Sequence, residues 1–162
     1  MLDRFGGTKE PVLAQLVAKA CLILPASGVD LGAVGELADT SVRLGTNHQF
    51  FSFFQFAKAL ADYRRDRFAS AAELVQKVLE KSGEFPYRDV QANVVLAMAL
   101  HQPNQRDAAR AAMAKGIEIE KADAHGLDSG DLGDAWHDWI IARALLREAK
   151  ALIEGKPAHT EK

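Results

Sequence analysis

From residue 8 to residue 155, apolar positions recur every three to four residues in segments separated by short polar breaks, and almost nothing alternates apolar with polar. The first spacing is that of an amphipathic helix and the second that of a strand, so the pattern predicts an all-α chain. "TKEPVLAQLVAKACLIL" opens with Thr8 as N-cap and Pro11 in the first turn, and should end at Pro25. "DLGAVGELADTSVRL" starts on Asp30 and stops at Gly45. A Phe-rich helix follows "TNHQ", where Thr46 and Gln49 have the spacing of a capping box. "FASAAELVQKVLEKS" follows the tight "RDR" turn and stops at Gly83, and "YRDVQANVVLAMAL" runs from Pro86 to Pro103. "RDAARAAMAKGIEIEKA" begins after Asn104, and a polar stretch, "DAHGLDSGDLG", separates it from "DAWHDWIIARALLREAKALIEG". The seven predicted helices have mostly short connections, so neighbours should form antiparallel hairpins.

Two of the hairpins share a pattern. "FAKALADYRRDRFASAAELVQKVL" and "VVLAMALHQPNQRDAARAAMAKGI" each carry small residues in the first helix and a tight turn. The second helices then place Ala71 or Ala109, Val75 or Met113, and Leu79 or Ile117 in register. This pattern resembles the tetratricopeptide repeat, with Asp66 and Asn104 standing where that repeat prefers Gly. The resemblance implies antiparallel helical hairpins stacked as a right-handed superhelix with a C-terminal capping helix. Residues 1–155 would be one such domain, and 156–162 a disordered tail.

Along nearly its whole length the chain is also similar to the C-terminal helical-repeat regions of large bacterial serine/threonine protein kinases and related multidomain proteins. The stretches that carry the similarity are "RFGGTKEPVLAQLVAKACLILP", "YRRDRFASAAELVQKVL" and "AWHDWIIARALLREAKALI". Such regions are not catalytic, and the Gly-rich loop, "HRD" and "DFG" of the kinase domain do not occur here. The similarity implies an accessory or regulatory interaction module, cut from a longer chain, that takes a protein or peptide partner.

Phe50, Phe51, Phe53, Phe54 and Phe56 crowd two turns of one helix. At ~100° per residue, Tyr63, Phe56, Leu60, Phe53, Ala57, Phe50, Ala61 and Phe54 span an arc wider than half the circumference. An arc that broad predicts a helix covered on two sides. The repeat resemblance implies a second use, in which the inner helices line a concave groove. Phe53, Phe56, Leu60, Tyr63 and Arg64 would then face a partner together with Gln91, Val94, Met98 and His101. On the last helix, Trp139, Ala142, Leu145, Leu146, Ala149, Leu152 and Ile153 face the core, while Trp136, Ile140, Ala144 and Ala151 form a second apolar strip. Arg143, Arg147 and Lys150 border that strip, which needs a cover: the 121–133 loop, a second copy of the domain in a homodimer, or the rest of the parent protein.

Composition narrows the classes. A length of 162 residues with 48% apolar and 26% charged residues is that of an ordinary globular chain with room for a substantial core. The net charge of −2 argues against a dedicated nucleic-acid or anionic-membrane binder. No apolar run approaches the ~20 residues of a membrane span, and "LDRFGGTKEP" lacks a signal core. With the lone Cys21, these features lead to the expectation of a cytoplasmic protein in which Cys21 is a small buried hydrophobe. The best enzymatic candidate is the run Asp123, His125, Asp128, Asp131, Asp134, His137 and Asp138. Its spacing matches neither an EF-hand loop nor the paired-His helix of zinc hydrolases, and acidic residues suit a helix start. No catalytic residue, metal or cofactor is expected. "YRRDRF" is a short basic patch that could touch phosphates. The sequence thus favours a non-catalytic interaction module; the rivals are a spacer or dimeriser without an open groove, and a metal-dependent enzyme using the Asp/His run.

Overall fold

Prolines, acidic caps and left-handed residues set several of the helix boundaries. The computed structural model describes residues 1–25, 28–123 and 135–155. The expected tail of 156–162 and most of the 121–133 loop lie outside them. The helices are α1 (Leu2–Phe5), α2 (Pro11–Leu22), α3 (Leu31–Leu44), α4 (Phe51–Arg64), α5 (Phe68–Leu79), α6 (Pro86–His101), α7 (Arg106–Asp123) and α8 (Trp136–Glu154). The described residues contain no strand, so the chain is all-α as its periodicity requires. All seven predicted helices are present, and the short α1 is an addition.

Two caps differ from expectation. Glu10, and not Thr8, caps α2: its carboxylate accepts from the amides of Val12 (3.0 Å) and Leu13 (2.5 Å). Thr8 serves one step earlier, accepting from Glu10 N at 3.3 Å. No capping box forms ahead of α4, whose N-cap is Phe50 with no side-chain bond. His48 organises that turn instead, Nδ1 accepting from Phe50 N at 3.1 Å and the ring lying 5.3 Å from that of Phe54. Phe50, outside the helix proper, leaves the wheel's apolar arc and is exposed. Asp30 caps α3 as expected, and Asp66 and Asn104 take left-handed conformations with φ of 59° and 63°. They thus do the work of glycine at the two hairpin turns.

The chain divides into two compact units, Met1–Lys81 and Ser82–Lys162, where the sequence was read as one domain. In the first unit α4 is the centre, packed by α2, α3 and α5. Phe54, Phe56, Ala57, Leu60 and Ala61 are all but inaccessible, and so is Asp62 on the opposite side. Coverage from several sides accounts for Phe54 and Phe56, which are fully buried, while Phe51 and Phe53 stay half-buried. Asp62 takes Lys58 Nζ at 2.6 Å and Ser70 Oγ at 2.8 Å, which ties α5 to α4. Gly45 permits the α3–α4 approach, since a Cβ there would run into the Phe54 ring.

In the second unit α6 is the centre, packed by α7 and α8. Val90, Val94, Val95, Ala97 and Met98 have no exposed surface. The crossing pattern holds in both hairpins with one adjustment. Ala71, Val75 and Val78 are buried on α5, and Ala109, Met113 and Gly116 on α7. The third buried position falls seven residues after the first, so Leu79 and Ile117 stay half-buried. Gly116 faces α6, where a Cβ would sit in van der Waals contact, 3.4 Å from both Asn93 Cβ and Val94 Cγ2.

Candidate functional site

The residues expected to line a groove are mostly core. Phe56, Leu60, Val94 and Met98 have no exposed surface, and Tyr63 is 8% exposed with its ring 5.8 Å from that of Phe68. Side chains sealed this way cannot meet a partner, which corrects the expectation for these five. Phe53 is half-buried under Lys19, whose ammonium lies 5.9 Å from the ring centroid. Arg64 is a structural cap: Nε and one terminal nitrogen donate to the carbonyls of Leu22 (3.0 Å) and Ile23 (3.1 Å). A cation there both satisfies orphaned carbonyls and opposes the dipole at the C-terminus of α2. Arg67 lies 3.7 Å from Asp62, and Arg65 packs against Gly35, so the "YRRDRF" arginines have intramolecular roles. His101 is half-buried, and its Nδ1 is sealed from water without a hydrogen-bond partner.

The second strip of α8 is different. Trp136 and Ile140 are 50% and 49% exposed, and among the described residues they are the only exposed large hydrophobics of the second unit. Four residues apart on one helix, they form a single patch. Arg147 and Lys150 beyond them are exposed, while Arg143 is half-buried and held by Glu120 of α7 through a 3.2 Å contact from Nε. The opposite face of α8 is fully used, with Trp139, Ile141, Ala142, Leu145, Leu146 and Ala149 buried.

A polar network unannounced by the sequence fixes the first turn of α8. Gln91, buried on α6, donates Nε2 to the Asp138 carbonyl at 2.8 Å and to its Oδ1 at 3.2 Å. His137 Nε2 lies 3.1 Å from the other Asp138 oxygen, and Trp139 meets Tyr87 edge-on at 6.1 Å. Beside it, Arg88 is wholly buried and donates Nε and a terminal nitrogen to Asp89 Oδ1 at 3.1 and 2.8 Å. Asp89 Oδ2 accepts from Gly83 N at 2.5 Å, which anchors the loop before α6. Two adjacent charged residues at a helix start read as surface, and no local sequence signal marks them as core. The patch therefore stands on a helix clamped at its N-terminal turn.

Burial pushes the Tyr87 phenol above its ordinary value of 10.0, and the nearby Asp138 carboxylate pushes in the same direction against a smaller opposing effect of Arg88. A folded-state value above the unfolded one favours the neutral phenol in the fold. That contribution is whole below pH 10 and is lost as pH rises through the folded-state value. The ultraviolet titration of Tyr87, isolated by difference from Tyr87→Phe, should therefore lie above that of free tyrosine. The melting temperature should also fall more steeply with alkalinity in the wild type than in Tyr87→Phe. Titration at or below 10.0 would contradict the environment described here.

Cys21 is buried on α2, and burial raises its thiol, in keeping with a packing role. Of the Asp/His run, His125, Asp128, Asp131 and Asp134 lie outside the described residues, and Asp123 is exposed at the end of α7. Among the described residues no three His, Cys, Asp or Glu side chains group as a metal site, and no helix is long and apolar enough to cross a membrane. No protein-family model matches the chain, and neither a curated protein nor a solved structure is similar to it at a significant level.

Proposed function

We propose that this protein is a non-catalytic protein–protein interaction module, a tetratricopeptide-like accessory region of a larger signalling protein, that docks its partner on the outer face of α8. The observation that carries the reading is the exposure of Trp136 and Ile140 side by side on a helix whose other face is buried. A large aromatic beside an aliphatic residue is the usual composition of an interface anchor. Arg147 and Lys150 at the border, with Arg143 partly engaged, suit a partner segment that is apolar on one side and acidic at its edges. An acidic amphipathic helix has that chemistry.

The test places a photo-crosslinking residue at Ile140 of the full chain in its native cell. A control site goes at Lys115, which is exposed on α7. A discrete product is expected at Ile140 alone, and it should disappear when Trp136→Ala is added. Both positions are solvent-facing, so that change should move stability by no more than about 0.5 kcal/mol. A product of twice the chain's mass would replace this reading with a homodimer, and the absence of any discrete product would leave α8 without a docking role.

A further inference from the structure

A concavity lies in the second unit, where the C-terminal end of α6, the first turns of α7 and the last turn of α8 converge. It has a volume of about 280 Å³ and is lined by His101, Arg106, Arg110, Leu152, Ile153 and Glu154. We propose that it binds a small monocarboxylate with a short apolar tail. This proposal is independent of the docking face on α8.

Three features of the lining select that ligand. Arg106 and Arg110 are one helical turn apart on α7, so both guanidiniums reach one side of the hollow. Arg106 opens an 18-residue helix, whose leading N–H groups have no intrahelical acceptor and add positive potential at the same place. Two guanidiniums against the single Glu154 carboxylate leave one net positive charge, which balances a monoanion and not a dianion. Asp107, 4.0 Å from Arg110, is fully exposed, where water screens it.

His101 also lines the hollow, and its Nδ1 is buried without a hydrogen-bond partner. Leu152 and Ile153 form the apolar wall, both half-buried. The volume lies just below the range of drug-sized pockets, which limits the tail to a few carbons.

The experiment titrates the full, ¹⁵N-labelled chain with butyrate, acetate and orthophosphate. Butyrate should shift the amides of Arg106 and Asp107 and the His101 ring nitrogens saturably, with a Kd on the order of 1 mM. Acetate lacks two methylenes and should bind about tenfold more weakly. The double substitution Arg106→Ser, Arg110→Ser should remove the response, and both side chains are exposed, so the fold should survive. Leu152→Ala should narrow the difference between butyrate and acetate without abolishing binding. The proposal is overturned if butyrate gives no saturable shift, if the shift survives the double substitution, or if orthophosphate binds as tightly as butyrate.

Discussion

A chain ending before Trp136 should lose the cooperative fold of its second unit. Trp139, Ile141, Leu145 and Leu146 of α8 are buried and pack against α6. Each large apolar side chain taken from water contributes roughly 1.5–3 kcal/mol, so four together rival the ~5–15 kcal/mol stability of a whole domain. The truncation would also strip Gln91 of the Asp138 acceptors that satisfy its buried amide. Amide resonances of α6 and α7 should collapse into the poorly dispersed range, with dye-binding apolar surface and a tendency to aggregate. Well-dispersed α6 and α7 signals from the truncated chain would show that α8 is an appendage and not part of the core.

Arg88→Met should be among the most damaging single substitutions. The guanidinium is fully buried against Asp89, itself 2% exposed, with the Phe85 ring 5.2 Å from its central carbon. Removing one partner of a buried pair strands the other charge, at a cost of about 3–5 kcal/mol. The double change Arg88→Met, Asp89→Asn takes away both charges while keeping an acceptor for Gly83 N. It should therefore recover a large part of the loss. Denaturant unfolding of the wild type, both single variants and the double variant measures the coupling. A loss below about 1 kcal/mol for Arg88→Met would mean that water reaches the pair and that Asp89 needs no counter-charge.

That Trp136 and Ile140 stay off the core was legible in the sequence, because they fall outside the arc that Trp139, Leu145 and Leu146 occupy on the same helix. The groove reading failed on the same kind of evidence. Phe56, Leu60, Val94 and Met98 look identical on a helical wheel whether they line an open surface or fill a core. The Arg64 cap on α2 joins residues more than forty positions apart, beyond the reach of any local pattern.

Taken alone, the sequence determined the helical class, the seven main helices and the hairpin turns. Those features depend on interactions within a few residues: the 3.6-residue period, Pro at a first turn, a carboxylate reaching the next amides, a left-handed Asp66 or Asn104. Tertiary structure decided the rest. It packed α4 from several sides, drew Arg88, Asp89 and Asp62 out of water, divided the packing into two units and left Trp136 and Ile140 exposed. The accessibility of an apolar side chain, or the partner of a charged one, is set by segments distant in sequence that arrive only with the fold. Periodicity records which side of a helix is apolar, but not how many neighbours will come to cover it.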